Sequence, residues 1–453
     1  MGPEDTVAAI ATATGESGIA VVRVSGPEAI AIAGKLAGRA DGFHRTASHT
    51  VHHAWLRDET GRLLDEALVT VLRAPKTYTG EDVVEFGVHG GTVVARRVLR
   101  AVLRAGARLA DRGEFTRRAF LAGRVDLSRA EAVADLIAAK TDRAADAALS
   151  GIAGGLARKT EEIEEHLLDA LARVEANIDF VEDAGAAPRG EIEEQLDHAT
   201  TAIADLIERA PRARRLRDGA SVVLVGCANV GKSTLFNALL ETDRALVSET
   251  PGTTRDFLEA WCDFGGVPTR LIDTAGLRED TGSSIETEGV RRARSLGTEA
   301  DLRLVLVEAG KVWAAEDERL WQSETASASL LVRTKSDVCS VGSATAHPPR
   351  GILVSAQEGQ GLGALREAIA DRLLEGVGRE PEDDIFPGER HEDALRRSLA
   401  SVTRARETLT RGGAEELIAS DLRDAAVAIG EVTGKTVDEE VLNRVFERFC
   451  IGK

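Results

Sequence analysis

The sequence predicts a multidomain protein that combines α/β with α architecture. We expect an N-terminal α+β domain, an elongated helical domain, and an α/β phosphate-loop domain inserted into the helical one. At 453 residues the chain is too long for a single hydrophobic core. Apolar strands alternate with helical patterns from residue 220 to about residue 374, and helical periodicity lies on both sides of that region.

The N-terminal region mixes short β-branched runs with glycine-rich turns, which is typical of an α+β domain. Predicted strands include Gly18–Ser25, Leu68–Leu72 and Asp82–His89, and helices are predicted over Ala29–Leu36 and Thr92–Arg104. The predicted domains, in chain order, are residues 1–118 (α+β), 119–217 (helical, first part), 218–377 (inserted α/β) and 378–453 (helical, second part).

Helix signals precede and follow the inserted domain. Ser128 with Glu131, and Thr436 with Glu439, fit the Ser/Thr-x-x-Glu capping box, so we predict that helices begin there. The apolar residues at spacings of three and four that predict one buried helical face are Ile163, Leu167, Leu171, Val174 and Ile178. The helical domain is therefore expected to form from two separate parts of the chain.

Composition excludes several classes of protein. The net charge of −18 argues against a protein that coats nucleic acid electrostatically. The four cysteines are far apart, so a disulfide framework or zinc site is not expected and a reducing compartment fits. Since no apolar run reaches the ~18 residues that span a bilayer, we expect a cytoplasmic protein without a membrane partner.

Residues 226–233 match the phosphate-loop pattern G-x-x-x-x-G-K-[ST]. The loop follows an apolar strand and opens a helical pattern, which is the context that the motif requires. Its glycines allow several backbone N–H groups to point at one phosphate, Lys232 adds a charge for the β- and γ-phosphates, and the Ser233 hydroxyl can ligate Mg²⁺. The predicted strands of this domain are Val222–Val225, Thr269–Ile272, Leu302–Val307, Leu330–Val332 and Ile352–Val354.

Three further motifs follow in order, each at the end of a predicted strand: 273–276, 334–337 and 355–356. Asp273 can hold the Mg²⁺ shell, and the Asp337 carboxylate can accept two N–H groups of guanine, which adenine does not offer. Together they predict a Ras-like GTPase domain. Thr334 stands where the guanine motif normally has Asn, which ties this loop to the phosphate loop, so we expect weaker guanine binding.

The hydrolytic machinery differs from that of Ras-like switches, because Leu277 stands where they carry a water-orienting Gln. Asn229 and the 252–255 loop offer oxygens for a monovalent cation that could replace an arginine finger. Thr254 is the expected second Mg²⁺ ligand beside Ser233, and Glu286 is a candidate for activating water. The residues expected to bind GTP are Asn229, Val230, Gly231, Lys232, Ser233, Thr234, Ser248, Thr253, Thr254, Asp273, Thr274, Ala275, Gly276, Thr334, Lys335, Asp337, Ser355 and Ala356.

With these motifs, the flanking helices and the final Phe449–Lys453 segment, the chain resembles the MnmE (TrmE) family of tRNA-modification GTPases over essentially its whole length. The N-terminal segments 78–82, 89–91 and 112–120 agree with that family as well. The resemblance implies that the N-terminal domain forms a homodimer and binds 5,10-methylene- or 5-formyl-tetrahydrofolate. The implied folate-binding residues are Arg23, Glu81, Arg124 and Lys453, with Arg124 at a position where the family often has Lys.

The resemblance also implies the chemistry. K⁺ held by Asn229, Ser248, Thr250 and Thr253 would replace the arginine finger, and Glu286 matches the water-activating glutamate of the family. A flavin-containing partner of the MnmG (GidA) type would join the homodimer. The complex would add a (carboxymethyl)aminomethyl-type group to C5 of the wobble uridine of certain tRNAs, with either glycine or ammonia as the nitrogen donor.

Several residues keep two interpretations. Cys450 would lie near the folate site, either as a nucleophile or redox thiol or as a residue ordered for shape. A basic cluster contacts tRNA phosphates or ends a solvated helix; it comprises Arg212, Arg214, Arg215 and Arg217. Four histidines, His44, His49, His52 and His53, lack a fixed metal-ligand spacing, and His89 fits a turn better than a general base. The rival function is a GTP-controlled switch in ribosome assembly, as in the Era and Der families, but the RNA-binding module or tandem domains of those families are missing.

Overall fold

The computed structural model describes residues 5–39, 42–179, 188–241, 258–273, 300–322, 329–338, 351–374, 385 and 387–453. Their contacts group the chain into two compact units. The first unit comprises Met1–Ala134, Ala157–Ile192 and Arg404–Lys453, and the second comprises Asp135–Leu156 and Glu193–Thr403. The four domain limits given above stay a prediction.

A six-stranded sheet forms the N-terminal part of the first unit. Its strands are β1 (Val7–Ile10), β2 (Ile19–Ser25), β3 (Thr50–Arg57), β4 (Leu63–Leu72), β5 (Val83–His89) and β6 (Arg108–Leu109). Their order is β3-β4-β5-β2-β1-β6, and every pairing is antiparallel except β1 with β6. Helices α1 (Ala29–Leu36) and α2 (Thr92–Arg104) have the predicted bounds and pack on the sheet through one apolar core.

Helices account for most of the remaining described chain. They are α3 (Glu114–Leu121), α4 (Leu127–Ala138), α5 (Asp142–Ile152), α6 (Gly155–Asp179), α7 (Arg189–Asp218), α8 (Lys232–Glu241), α9 (Ala315–Gln322), α10 (Leu362–Leu373), α11 (Glu389–Arg411), α12 (Glu415–Thr433) and α13 (Glu439–Phe446). On α6 the predicted apolar face is confirmed, with Ile163, Leu167 and Val174 almost fully buried. None of the described helices is long and apolar enough to cross a bilayer.

Both predicted helix caps are wrong, and in each case an aspartate takes the position. The Asp126 carboxylate accepts the Arg129 N–H at 2.9 Å, and the Ser128 hydroxyl donates to Asp126 instead of capping. Asp438 is the N-cap of α13, where it accepts the Val441 N–H at 2.9 Å. The carboxylate prevails because it accepts the N–H groups of the first turn and its charge suits the positive helix end.

The second unit contains a doubly wound sheet. Its strands are β7 (Ala220–Gly226), β8 (Leu258–Phe264), β9 (Val267–Asp273), β10 (Leu302–Glu308), β11 (Ser329–Thr334) and β12 (Ile352–Leu353). The order is β12-β11-β10-β7-β9-β8, parallel except for the β8–β9 hairpin. All five strands predicted for this domain are confirmed, whereas β8 was not predicted. Ligands of such sheets bind beyond the carboxyl ends of the parallel strands.

Candidate functional site

The predicted nucleotide-binding residues follow the carboxyl ends of four parallel strands in the second unit. The phosphate loop follows β7, Asp273 ends β9, Thr334 ends β11, and Ser355 comes shortly after β12. Residues that lie up to about 130 positions apart are therefore brought to one edge of the sheet by the topology alone.

Close packing explains the first glycine of the phosphate loop. A Cβ atom at Gly226 would lie 2.7 Å from the Leu306 carbonyl oxygen of the adjacent strand, so no larger residue fits without displacing the backbone. Asn229 adopts a left-handed backbone with φ 61°, which Asn tolerates better than most residues. The loop is thus shaped by its backbone and by the neighbouring strand.

Lys232 lies within the curve of the loop. Its Nζ atom donates to the carbonyl oxygens of Gly226 at 2.7 Å and Cys227 at 2.9 Å. Burial lowers the pKa of Lys232, and the nearby Asp273 carboxylate opposes that shift. Half-burial strengthens the interaction of this ammonium with any phosphate placed in the loop.

The predicted magnesium ligand Ser233 lies beside Asp273, the residue expected to hold the Mg²⁺ shell. The Ser233 hydroxyl donates to Asp273 Oδ2 at 2.7 Å, and Asp273 is fully buried. A hydroxyl beside a carboxylate at the edge of a phosphate loop is the hard oxygen donor set that Mg²⁺ prefers, so these residues fit the ion. Thr254, the expected second Mg²⁺ ligand, lies outside the described residues.

Thr334 connects residues 334–337, which we call the guanine loop, to the phosphate loop. Its side chain is buried, and its hydroxyl donates to the Val230 carbonyl oxygen at 2.6 Å. Lys335 takes a left-handed backbone with φ 58°, and its ammonium pairs with Glu308 at 3.1 Å. Asp337 is exposed in the short 3₁₀ turn Ser336–Val338. The Asp337 carboxylate is therefore accessible, in a segment that the Thr334 contact holds beside the phosphate loop.

Glu308, at the end of β10, is a residue that sequence reasoning missed. Its carboxylate accepts hydrogen bonds from Lys311 and Lys335, and the first of these is the main cause of its lowered pKa. The only sequence signal is an acidic residue ending a buried strand beside the guanine motif. Its contact with Lys335 links the end of β10 to the guanine loop.

Eight predicted positions lie outside the described residues: Ser248, Thr250, Thr253, Thr254, Thr274, Ala275, Gly276 and Glu286. Among the predicted K⁺ ligands, the structure therefore describes Asn229 alone. The remaining predicted GTP-binding positions lie in three places. The phosphate loop contains Val230 and Gly231, the start of α8 contains Thr234, and the segment just after β12 contains Ser355 and Ala356.

The first unit brings the predicted folate residues to one region although they are up to 430 positions apart. Arg23 pairs with Glu85 at 2.8 Å, donates to the Gly452 carbonyl at 3.3 Å, and lies 5.6 Å from the centre of the Phe115 ring. The Phe115 N–H in turn donates to the Lys453 carbonyl at 3.2 Å. Arg23 and Lys453 are thus joined through the backbone and side chain of Phe115.

The C-terminal tail lies across the start of α3 and the end of β1. Ile451 forms an isolated antiparallel bridge with Arg112, whose Nε donates to the Phe449 carbonyl at 2.9 Å. Gly452 has φ +99°, and a Cβ there would lie 2.4 Å from the Ile10 carbonyl oxygen, so this position requires glycine. Cys450 is exposed in this tail.

Glu81 is held by buried partners that were not predicted. Arg118 donates to both carboxylate oxygens of Glu81 at 3.0 and 3.1 Å, and the Ser25 hydroxyl donates to Oε2 at 2.7 Å. Arg124 lies beside the same turn, because a Cβ at Gly80 would be 3.7 Å from its Cδ atom. The sequence signal that could have revealed Arg118 is the Arg117-Arg118 pair after an acidic helix start.

A network of ion pairs surrounds Arg118. Arg108 and Arg118 both bond to Asp5 and to Glu114. Hydrogen bonds and charge from the two guanidinium groups overcome burial and lower the pKa of Asp5 and of Glu114. Paired charges of this kind hold the ionised forms of both carboxylates in place.

Three arginines of the basic cluster before β7 have local partners; the side chain of the fourth, Arg212, lies outside the described part of the structure. Arg215 donates to the Leu373 carbonyl at 2.9 Å, Arg217 pairs with Asp218 at 2.8 Å, and Arg214 lies 4.0 Å from Glu392. These contacts favour the interpretation as a helix end. Within the described part of the chain no cluster of His, Cys, Asp or Glu suits a metal ion, and His53 pairs with Glu66 instead.

Comparison with known proteins identifies the family. The sequence profile described as "MnmE helical domain" matches residues 127–450, and the one described as "GTP-binding protein TrmE N-terminus" matches residues 6–124. The tRNA modification GTPase MnmE of Heliobacterium modesticaldum is 43% identical over 467 residues, covering 99% of both chains. The chain belongs to the MnmE family. Its Symbiobacterium thermophilum relative is 43% identical over 99% of this chain and all of the relative, and that of Cyanothece sp. is 40% identical over the whole of both.

Membership of the MnmE family confirms the predicted fold class, with its N-terminal domain, helical domain and phosphate-loop domain, and the predicted GTP hydrolase.

Proposed function

We propose that this chain hydrolyses GTP as the subunit of a complex that modifies C5 of the wobble uridine of certain tRNAs. Similarity to proteins named tRNA modification GTPase MnmE, over 99% of the chain, is the observation that carries the proposal. In this proposal hydrolysis drives a conformational cycle, and the one-carbon unit comes from a reduced folate.

Guanine selection is proposed for Asp337, whose carboxylate accepts two N–H groups of the base. The contact of Thr334 with Val230 supports this role, since it fixes the distance between the guanine loop and the phosphate loop. An adenine base would leave the carboxylate without its donors, which costs about 1–3 kcal/mol or more for a desolvated acceptor.

Phosphate binding is proposed for the loop N–H groups and for Lys232, with Ser233 and Thr254 as Mg²⁺ ligands and Asp273 holding the shell of the ion. The bound ion supplies positive charge to the β- and γ-phosphate oxygens. Glu286 would orient and activate the attacking water, directly or through a second water. The 2.7 Å contact between Ser233 and Asp273 supports the magnesium part of this proposal.

K⁺ is proposed to replace the arginine finger, with Asn229, Ser248, Thr250 and Thr253 as its ligands. Positive charge beside the γ-phosphate is worth about 10³–10⁵ in rate in related enzymes. The left-handed backbone of Asn229 supports a functional use of that side chain, because Asn229 alone among the non-glycine residues of the phosphate loop has a positive φ.

Reduced folate, as the 5,10-methylene or 5-formyl form, is proposed to bind Arg23, Glu81, Arg124 and Lys453. Their convergence in the first unit supports this site, as does the requirement for glycine at position 452 beside Lys453. Cys450 belongs to the same tail and is proposed at most as a neighbour of the site. A homodimer, a flavin-containing partner of the MnmG type and tRNA complete the proposed assembly.

The experiment is mass spectrometry of tRNA nucleosides from a strain in which the gene for this chain is deleted. We expect the modified wobble uridine to disappear, to return with the wild-type chain, and to stay absent with Lys232→Ala. Unchanged nucleosides in the deletion strain would refute the proposed function. An equal return with Lys232→Ala would refute the requirement for GTP.

A further inference from the structure

We infer that Arg118 is a positioning residue of the reduced-folate site, where it fixes the Glu81 carboxylate with one oxygen turned to the ligand. The inference rests on the proposed folate site and adds a residue to it. It follows from the contacts of Glu81, from the way Arg118 is itself held, and from the acceptor capacity that remains on Glu81.

Ser25 and Arg118 hold the Glu81 carboxylate, and its two oxygens do not share these hydrogen bonds equally. Its Oε2 atom accepts from Ser25 at 2.7 Å and from Arg118 at 3.1 Å, whereas Oε1 accepts from Arg118 alone at 3.0 Å. A carboxylate offers about four acceptor sites, and the Glu81 side chain is 21% exposed. The capacity that remains is therefore mostly on Oε1, where a planar heterocycle with N–H donors could bind.

Ser25 is committed to this arrangement. Its side chain and that of Thr79 are both buried, and their hydroxyl oxygens lie 2.7 Å apart. Since Ser25 donates its only O–H to Glu81, Thr79 must donate to Ser25. The chain of hydrogen bonds thus runs from Thr79 to Ser25 to Glu81, which fixes the direction of each donor.

Arg118 cannot move without losing several partners. Its Nη2 atom bonds to Asp5 at 2.7 Å and to Glu114 at 2.9 Å, and its Nη1 atom bonds to the Asp5 carbonyl at 2.9 Å. Only a planar group with five donors can serve three carboxylates at once, and the ammonium of Lys offers three donors at one point. The guanidinium is therefore held in one position by Asp5 and Glu114, and its Nη1 atom orients the Glu81 carboxylate.

The test is binding of 5-formyl-tetrahydrofolate to the full-length chain by isothermal titration calorimetry, in a double-mutant cycle of Arg118→Lys with Glu81→Gln. A residue that acts through Glu81 should weaken binding at least tenfold alone and by less than about twofold once Glu81 is replaced. Arg117→Lys is the matched control, since Arg117 pairs with Glu439, and it should change binding by less than about twofold.

Equal losses in the two backgrounds would show a merely structural role and overturn the inference, as would binding unchanged by Arg118→Lys. If thermal unfolding shows that Arg118→Lys is misfolded, Arg118→Gln, which keeps an N–H donor, takes its place in the cycle. Absence of folate binding by the wild-type chain would refute the proposed folate site and this inference together. Wild-type binding with additive losses would refute the role of Arg118 alone.

Discussion

The Thr334 hydroxyl donates to the Val230 carbonyl oxygen at 2.6 Å, across 104 positions of sequence. The guanine motif of GTPases normally has Asn at this position, and Thr in its place predicts a weaker link between the guanine loop and the phosphate loop. The structure retains that link through a shorter side chain, because the end of β11 lies close enough to the loop. The replacement therefore changes the chemistry of the contact without removing it.

Thr334→Val should separate these loops, since valine has nearly the same shape without the hydroxyl. A buried carbonyl that loses its partner costs about 1–3 kcal/mol, so we expect GTP to bind roughly tenfold more weakly. Equilibrium titration with a fluorescent GTP analogue measures this. Thr334→Ser, which keeps the hydroxyl, should bind within about threefold of wild type. Unchanged affinity in Thr334→Val would show that the contact has no role in nucleotide binding.

GTP turnover should be markedly faster in K⁺ than in Na⁺ at equal ionic strength, because the larger ion suits the proposed ligand set at Asn229. Asn229→Gly removes the side-chain oxygen while suiting the left-handed backbone, so it should lose this dependence on K⁺. Phosphate release at saturating GTP measures both. Equal wild-type rates in the two salts would exclude the potassium site.

Glu286→Ala should bind GTP normally and hydrolyse it at least about 100-fold more slowly, the usual loss when a general base is removed. Single-turnover hydrolysis separates the chemical step from binding. Glu288→Ala is the matched control, because it removes the same charge two positions away and should retain the wild-type rate. A Glu286→Ala variant that keeps its turnover would remove this residue from the mechanism.

Gly452→Ala should destabilise the first unit by about 1–3 kcal/mol, the usual cost of a strained backbone. The added Cβ would meet the Ile10 carbonyl, and φ +99° is unfavourable for alanine. We expect a lower melting temperature and weaker binding of reduced folate. Ile451→Ala, which truncates a half-exposed neighbour in the same tail, should have a smaller effect on both. The reverse ranking would contradict this account of the tail.

His89 should titrate above its usual pKa of 6.5, because Asp65 accepts its ring N–H at 2.8 Å and carries the opposite charge. A raised pKa in the folded state means that the charged pair stabilises the fold below about pH 6.5. That contribution is lost as the pH rises through the folded pKa. NMR titration of the His89 ring measures the shift, and Asp65→Asn should reverse most of it. A His89 pKa that Asp65→Asn leaves unchanged would contradict the pairing.

Sequence reasoning was reliable where periodicity and motif coincided. The five strands predicted for the phosphate-loop domain are short apolar runs that each precede a motif or a turn, and helices α1 and α2 carry apolar residues at helical spacing. Strand β8 was missed, since it contains no β-branched residue and is interrupted by Glu259 and Asp263. Strand β3 was missed because the polar pair His52 and His53 interrupts its apolar residues, although adjacent residues occupy alternate faces of a strand.

The capping errors have a different origin. A short S/T-x-x-E match competes with any nearby aspartate, and Asp126 and Asp438 each lie two positions from the residue chosen. Local sequence patterns also cannot predict hydrogen bonds between residues that lie far apart in the chain. Glu81 could be named from a motif, but its contact with Arg118 depends on how β2, α3 and the turn before β5 meet, which no local pattern encodes.

The position of the C-terminal tail has a consequence for protein synthesis. Arg23 and Phe115 leave the ribosome more than 300 residues before Gly452 and Lys453, whose carbonyl groups they contact. The region where these four residues meet can therefore be completed only after the phosphate-loop domain has been translated. A chain released early by the ribosome would lack the tail and therefore its contacts with Arg23 and Phe115.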